Sequence, residues 1–228
     1  MKKIFVFILA CSAFQINAQQ VGLSFSYFIP RNGYFSTPIS PFSIRGLGVD
    51  LNKFMALETG ASLYRMAGLN IIDVPFKSKL PMTGAGFTIF VPGELVFQFK
   101  NKKAEFDIKV GGFAFYSFAQ KLNYGNIDKA IRTYENWDVA NASLEFKNKP
   151  GFGYHAGLEL TFNVTRQWGL SFETNYLMGS SKIPLSGSYS GGNLGGNISL
   201  TPVPVDVPNA KVDFTGLEFS IGIILSGR

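Results

Sequence analysis

Thiols, imidazoles and long apolar runs are what this sequence has least of, and each shortage excludes a class of protein. The one cysteine among 228 residues, Cys11, lies in an N-terminal segment built like a secretory signal peptide. Its parts are the basic start Met1-Lys2-Lys3, the apolar run Ile4 to Ala13, and Ala18 as the small residue before the expected cut. A lipobox reading of Ile8-Leu9-Ala10-Cys11 is the alternative, and it leaves an unusually short apolar core. Cleavage after Ala18 removes the thiol, so disulfides and cysteine-ligated metals are excluded. His155 is the sole imidazole, too little for a zinc site. Charged residues make up only 16% of the chain, and no basic run exceeds Lys102-Lys103. A net charge of +6 on an exported chain therefore reads as solvated turns, with no nucleic acid as partner. No mature stretch reaches the roughly 18 consecutive apolar residues of a membrane helix. Residues 1–18 are expected to leave, and 19–228 have the length of a single domain.

What is present is period-two alternation, in segments of the length a tilted strand needs to cross a bilayer. Eight such segments are expected: Val21 to Ile29, Phe42 to Leu51, Met55 to Arg65, Gly84 to Phe99, Glu105 to Phe118, Phe152 to Val164, Trp168 to Met178 and Thr215 to Leu225. The sixth shows the pattern most clearly. Phe152, Tyr154, Ala156, Leu158, Leu160 and Phe162 alternate there with Gly153, His155, Gly157, Glu159 and Thr161. Pro92, inside the fourth, predicts a bulge or bend, because it brings no amide donor to a ladder.

The connections alternate as well. Short polar turns fall at Asn52-Lys53-Phe54, Lys100 to Lys103 and Thr165-Arg166-Gln167, and long stretches at Pro30 to Pro41, Met66 to Thr83, Ala119 to Gly151 and Gly179 to Phe214. A soluble barrel or sandwich also alternates, but it turns a charged face outward. Here the polar face carries Gly, Ser, Thr, Asn and carboxylates with little lysine, which suits a lumen. Aromatic residues at segment ends, such as Tyr27, Phe54, Phe99, Trp168 and Tyr176, suit interfacial girdles. The expected fold class is all-β: an eight-stranded antiparallel transmembrane up-and-down β-barrel with short periplasmic turns and long extracellular loops.

At this point the chain resembles the small porin-like, OmpA-type outer-membrane β-barrel proteins. The most family-like stretches are Gly48 to Gly60, a strand-turn-strand unit, and Ile89 to Gly112, where a strand carrying proline meets a glycine-rich one. The resemblance implies residence in the bacterial outer membrane. It implies as partners outer-membrane lipid, lipopolysaccharide and the barrel-assembly machinery. Members of that family often end on an aromatic residue, whereas this chain ends Leu225-Ser226-Gly227-Arg228, with Phe219 and the run Ile221 to Leu225 as the nearest equivalents.

On these strand phases the inward positions collect Asp50, Glu58, Glu94, Glu105, Asp107, Glu159, Glu173 and Glu218, against Lys109 and His155. The expected lumen network is Asp50, Glu58, Glu94, Lys109, His155, Glu159, Glu173 and Glu218. Hairpin geometry pairs Glu94 with Lys109 and brings Glu159 close to Glu173. A narrow barrel is filled by such side chains, while a cation-attracting path is the functional alternative. Arg45 and Arg65 fall on the outward phase near the long-loop ends of their strands, where arginine can meet lipopolysaccharide phosphate or snorkel.

Catalysis has little to build on. His155 and Glu159 are about 13 Å apart along one strand from rise alone, and Asp138 or Ser143 could join His155 only through a loop. The glycines Gly191 to Gly196 lack the lysine, strand and helix of a phosphate-binding loop. No cofactor or metal is expected. The stretches 119–151 and 179–214 offer recognition surface for an extracellular or envelope protein partner, the first interleaving Tyr124, Tyr134 and Trp137 with charges. The expected function is a non-enzymatic outer-membrane barrel with a structural or surface-interaction role. A narrow porin passing small cations or solutes is the alternative, and a barrel enzyme acting on lipid or peptide is third.

Overall fold

A computed structural model describes residues 20–34, 39–195 and 202–226. The expected signal peptide lies outside these residues. In chain order the elements are β1 (Gln20–Pro30), β2 (Ile39–Asn52), β3 (Met55–Met66), β4 (Ile71–Ile72), β5 (Gly86–Lys100), β6 (Ala104–Phe118) and α1 (Tyr124–Glu135). They continue with β7 (Val139–Phe146), β8 (Gly151–Asn163), β9 (Trp168–Lys182), β10 (Leu185–Gly192), β11 (Val203–Val207), β12 (Lys211–Asp213) and β13 (Gly216–Ser226).

Eight of these strands close on themselves in the order β1-β2-β3-β5-β6-β8-β9-β13, each antiparallel to the next. Closure is made by β13, which pairs along its whole length with β1, from Gln20↔Ser226 to Pro30↔Gly216, and on its other side with β9. Each of the eight expected segments coincides with one barrel strand. A closed ladder leaves no open sheet edge, which is the condition for crossing a bilayer with strands.

The burial pattern decides which kind of barrel this is. Phe25 exposes 64% of its surface and Leu57 52%, while Glu94 exposes 2% and Glu218 none. Apolar side chains are outside and carboxylates inside, the inverse of a soluble barrel and the arrangement lipid requires.

Three expectations are corrected. Arg45 is not on the outward face: it is 5% exposed and points into the lumen. The β2–β3 register jumps from Ile44↔Ala61 to Leu47↔Thr59, a bulge in which Gly46 takes a φ of 71°. The extra residue reverses the phase, so Arg45 joins Ser43 inside although Leu47 and Val49 stay outside. Arg65, with no bulge beside it, is outward and exposed as expected. Pro92 makes no bulge: β5 pairs with β6 in one unbroken register from Phe87↔Phe118 to Lys100↔Glu105. Its carbonyl accepts a hydrogen bond from Thr59 Oγ1 at 2.6 Å, which ties β5 to β3 beside the missing donor.

The third correction concerns the long connections, which are folded. The stretch 119–151 holds α1 and β7, and 179–214 holds the end of β9 together with β10, β11 and β12. A three-stranded sheet of order β11-β10-β7 stands above the barrel, with α1 against β7. At one further position β12 and β4 extend the wall beyond β9. We call this superstructure the cap.

Candidate functional site

The lumen is built in two layers. The first, charged, layer surrounds Lys109, which β6 holds with 1% exposure. Its Nζ lies 2.6 Å from Glu159 Oε2, 3.6 Å from Glu173 Oε1, 3.7 Å from Glu58 Oε2 and 3.8 Å from Glu94 Oε2. The register explains the crowding. Glu58 stands directly opposite Glu94, and Glu159 opposite Glu173, so like charges face each other across neighbouring strands. The lysine between them offsets the repulsion of such pairs.

Arg45 supplies the second cation. Its Nη2 reaches Glu218 Oε1 at 2.6 Å, while Nη1 lies 3.9 Å from Glu94 and 4.0 Å from Glu173. Glu218 also accepts from Tyr64 Oη, and its Oε2 accepts from Asn175 Nδ2 at 2.7 Å. The guanidinium stands 5.8 Å over the Phe90 ring, where the charged layer meets the next one.

Of the expected network, Glu58, Glu94, Lys109, Glu159, Glu173 and Glu218 are brought together. His155 Nε2 lies 3.6 Å from Glu94, at the edge of the cluster. Asp50 is not part of it: it is exposed at the turn end of the lumen, beside a small cavity that Glu58, Gln98 and Lys100 also line. Glu94 and Lys109 do meet, although the shortest contact of the lysine is to Glu159.

The second layer is aromatic. Phe28, Tyr64, Phe90, Phe113 and Phe115 all point inward above the charges, and Phe214, from the link between β12 and β13, stands among them. Phe214 stacks on Phe28 at 4.6 Å and on Phe115 at 4.5 Å between ring centroids. The layer is continuous with the cap interior, where Met66, Leu69, Phe76, Met82 and Ile131 are buried in the same apolar cluster. The alternation missed this plug because it assigned the inward phase to polar residues. The available signal was the loss of alternation in Tyr27-Phe28-Ile29, Ile89-Phe90-Val91 and Phe113 to Tyr116, where both faces are apolar.

The cap is held by specific latches. α1 starts at Asn123, whose Oδ1 accepts from the Asn126 amide, and ends at Asn136 in the left-handed conformation with φ of 57°. It buries Ile127, Ala130 and Ile131. Asp128 Oδ1 accepts from the Ala142 amide at 2.9 Å, and Tyr124 Oη donates to the Leu144 carbonyl at 2.7 Å. Both bonds occupy backbone groups on the outer edge of β7, which blunts that edge against strand addition. Tyr189 Oη donates to Glu135, and burial with this bond pushes the phenol up to about 12. Of the aromatic and charged mixture expected as recognition surface, Tyr124 and Tyr134 are exposed with Lys129 and Arg132, whereas Trp137 is half-buried against Tyr189.

His155 is inside the barrel, while Asp138 and Ser143 are exposed on the cap, so these residues do not meet. Among the described residues no three His, Cys, Asp or Glu side chains are arranged to hold a metal ion.

The architecture matches solved structures. The outer-membrane protein OprG of Pseudomonas aeruginosa superposes with a TM-score of 0.52 at 10% identity, over 90% of this chain and 94% of that one. Ail, the attachment invasion locus protein of Yersinia pestis, gives 0.40 at 10% identity over 90% and 94%. Outer Membrane Protein W of E. coli gives 0.36 at 14% identity over 91% and 97%. The OprG likeness carries the fold: this chain is a closed eight-stranded antiparallel β-barrel. No protein-family model matches the chain, and no curated protein matches it.

Proposed function

We propose that this protein is a sealed, non-enzymatic barrel of the bacterial outer membrane that serves as a rigid stalk for its cap. On this reading the signal peptide exports the chain, the short turns face the periplasm, and the cap faces outward to meet extracellular or envelope partners. Lipopolysaccharide phosphate is the lipid partner suited to Arg65, which is exposed on the outer wall near the cap.

The observation that carries the proposal is the continuous apolar cluster from Phe28 and Phe113 inside the barrel to Leu144 and Tyr189 in the cap. It makes cap and barrel one packed body and puts rings where a solute path would run. The cavity beside Arg45, Glu58 and Asp107 is about 10 Å³, the room of one water. Planar-bilayer recording tests the reading. Purified folded protein is expected to give no steady current, whereas the Phe115→Ala/Phe214→Ala variant opens the second layer and raises the frequency of leak events. A steady cation-selective current from the unaltered protein would instead support the acidic-lumen pore.

A further inference from the structure

The bases at the two ends of the barrel are placed differently. On the cap they are interspersed with acids, as where Lys211 pairs with Asp73 at 2.8 Å. At the other end, Lys53 lies in the β2–β3 turn, Lys102 and Lys103 in the β5–β6 turn, and Arg166 in the β8–β9 turn, with no carboxylate in residues 52–54, 100–103 or 164–167 and Asp50 the one exposed carboxylate nearby among the described residues. All four are exposed, and none makes an ion pair among the described residues. Lys100, one residue inward, is the exception, bound to Glu105 at 2.9 Å.

Each unpaired base sits just beyond an exposed aromatic residue. Phe54 follows Lys53 with 66% exposure, Phe99 precedes the β5–β6 turn with 54%, and Trp168 follows Arg166 with 39%. Aromatic rings at this height mark the level where hydrocarbon gives way to headgroups. The bases, in the turns beside or beyond these rings, therefore reach the phosphate level.

The turns occupy three of the four hairpin positions at this end, each two strands from the next in the wall order β1-β2-β3-β5-β6-β8-β9-β13, and form a ring open where β13 meets β1. A ring of this kind cannot converge on one small anion. It does match a planar field of phosphates.

We propose that this ring, Lys53, Lys102, Lys103 and Arg166, selects anionic phospholipid headgroups in the leaflet facing the turns. The inference goes beyond the sealed-stalk reading and rests only on its orientation in the bilayer. Its physical basis is the attraction of basic side chains to an anionic lipid surface, which salt screens. Trp168 stands within the ring and reports on it directly.

The test uses the folded protein in phosphatidylcholine nanodiscs doped with brominated phosphatidylglycerol or, separately, brominated phosphatidylcholine at equal mole fraction. Quenching of Trp168 is read after subtracting the Trp137 signal of a Trp168→Phe variant. The anionic lipid is expected to be enriched around Trp168 by roughly fivefold, and high salt to erase the difference. The Lys53→Gln/Lys102→Gln/Lys103→Gln/Arg166→Gln variant is expected to quench equally with both lipids while keeping a heat-shifted gel band. Inorganic phosphate at matched ionic strength should leave the preference in place. Equal quenching of the unaltered protein by the two lipids overturns the proposal, as does loss of the preference to inorganic phosphate alone. Equal quenching together with retention on purified cell-wall peptidoglycan overturns it in favour of a wall partner. A heat-shifted band in either case leaves the barrel reading intact.

Discussion

Replacing Lys109 by methionine keeps most of the side chain's volume and removes the charge that four glutamates share. The expected loss is about 3–5 kcal/mol, the cost of leaving buried charges without their counter-ion, read as a lower urea midpoint of tryptophan emission in micelles. An unchanged midpoint would show that the glutamates do not depend on this lysine. At Gly46, alanine must enter a left-handed conformation at a cost of about 1–2 kcal/mol, and relaxation of the bulge would turn Arg45 away from Glu218. Gly46→Ala is therefore expected to lower the midpoint, with Gly48→Ala an unsuitable control because its added carbon meets Leu57 O at 2.1 Å. The lumen carboxylates were legible because a strict two-residue period needs only counting. Arg45 was not legible, since the bulge depends on the φ of one of the two glycines, Gly46 and Gly48, that follow it.

The cap elements were harder to read than the barrel strands, for a physical reason. A barrel strand repeats one pattern over eleven to fifteen residues, whereas β7 and β10 are eight residues each and α1 is three turns. Yet Asn123, Asn136 and the spacing of Ile127, Ala130 and Ile131 were helix signals in plain view. In β10, Gly187 is required: its φ is 138°, and an added carbon would meet Ser143 O at 2.2 Å. The Asp128 latch makes the stability of the cap depend on pH. Burial lifts its carboxyl above the usual range, against the Ala142 amide and Arg132, which lower it. A raised folded value means the folded cap binds this proton more tightly than the unfolded segment, so cap stability falls as pH rises through that range. Amide exchange in α1, corrected for intrinsic rate, is thus expected to be more protected near about pH 4 than near about pH 7. Asp128→Asn should remove the difference, and Asp128→Ala should speed exchange at both values by losing a bond of about 1 kcal/mol. Tyr189→Phe, which leaves Glu135 without its phenol donor, is expected to loosen the C-terminal turn of α1 and leave the barrel untouched.

At the scale of the molecule, the filling of the lumen in two layers follows from where apolar and charged residues fall along the strands. Turn-end segments alternate strictly and place carboxylates inside. Cap-end segments are apolar on both faces and place rings inside, against a folded cap. The same chain thus needs lipid outside, a salted interior, and a hydrophobic stopper at one end. All three depend on closure of β13 against β1. The most direct measurement is gel migration of protein from fractionated membranes before and after boiling. The protein is expected in the outer-membrane fraction, with the unboiled form running at a different position from the boiled one. Identical migration of the two, with the protein in the soluble fraction, would contradict the barrel reading.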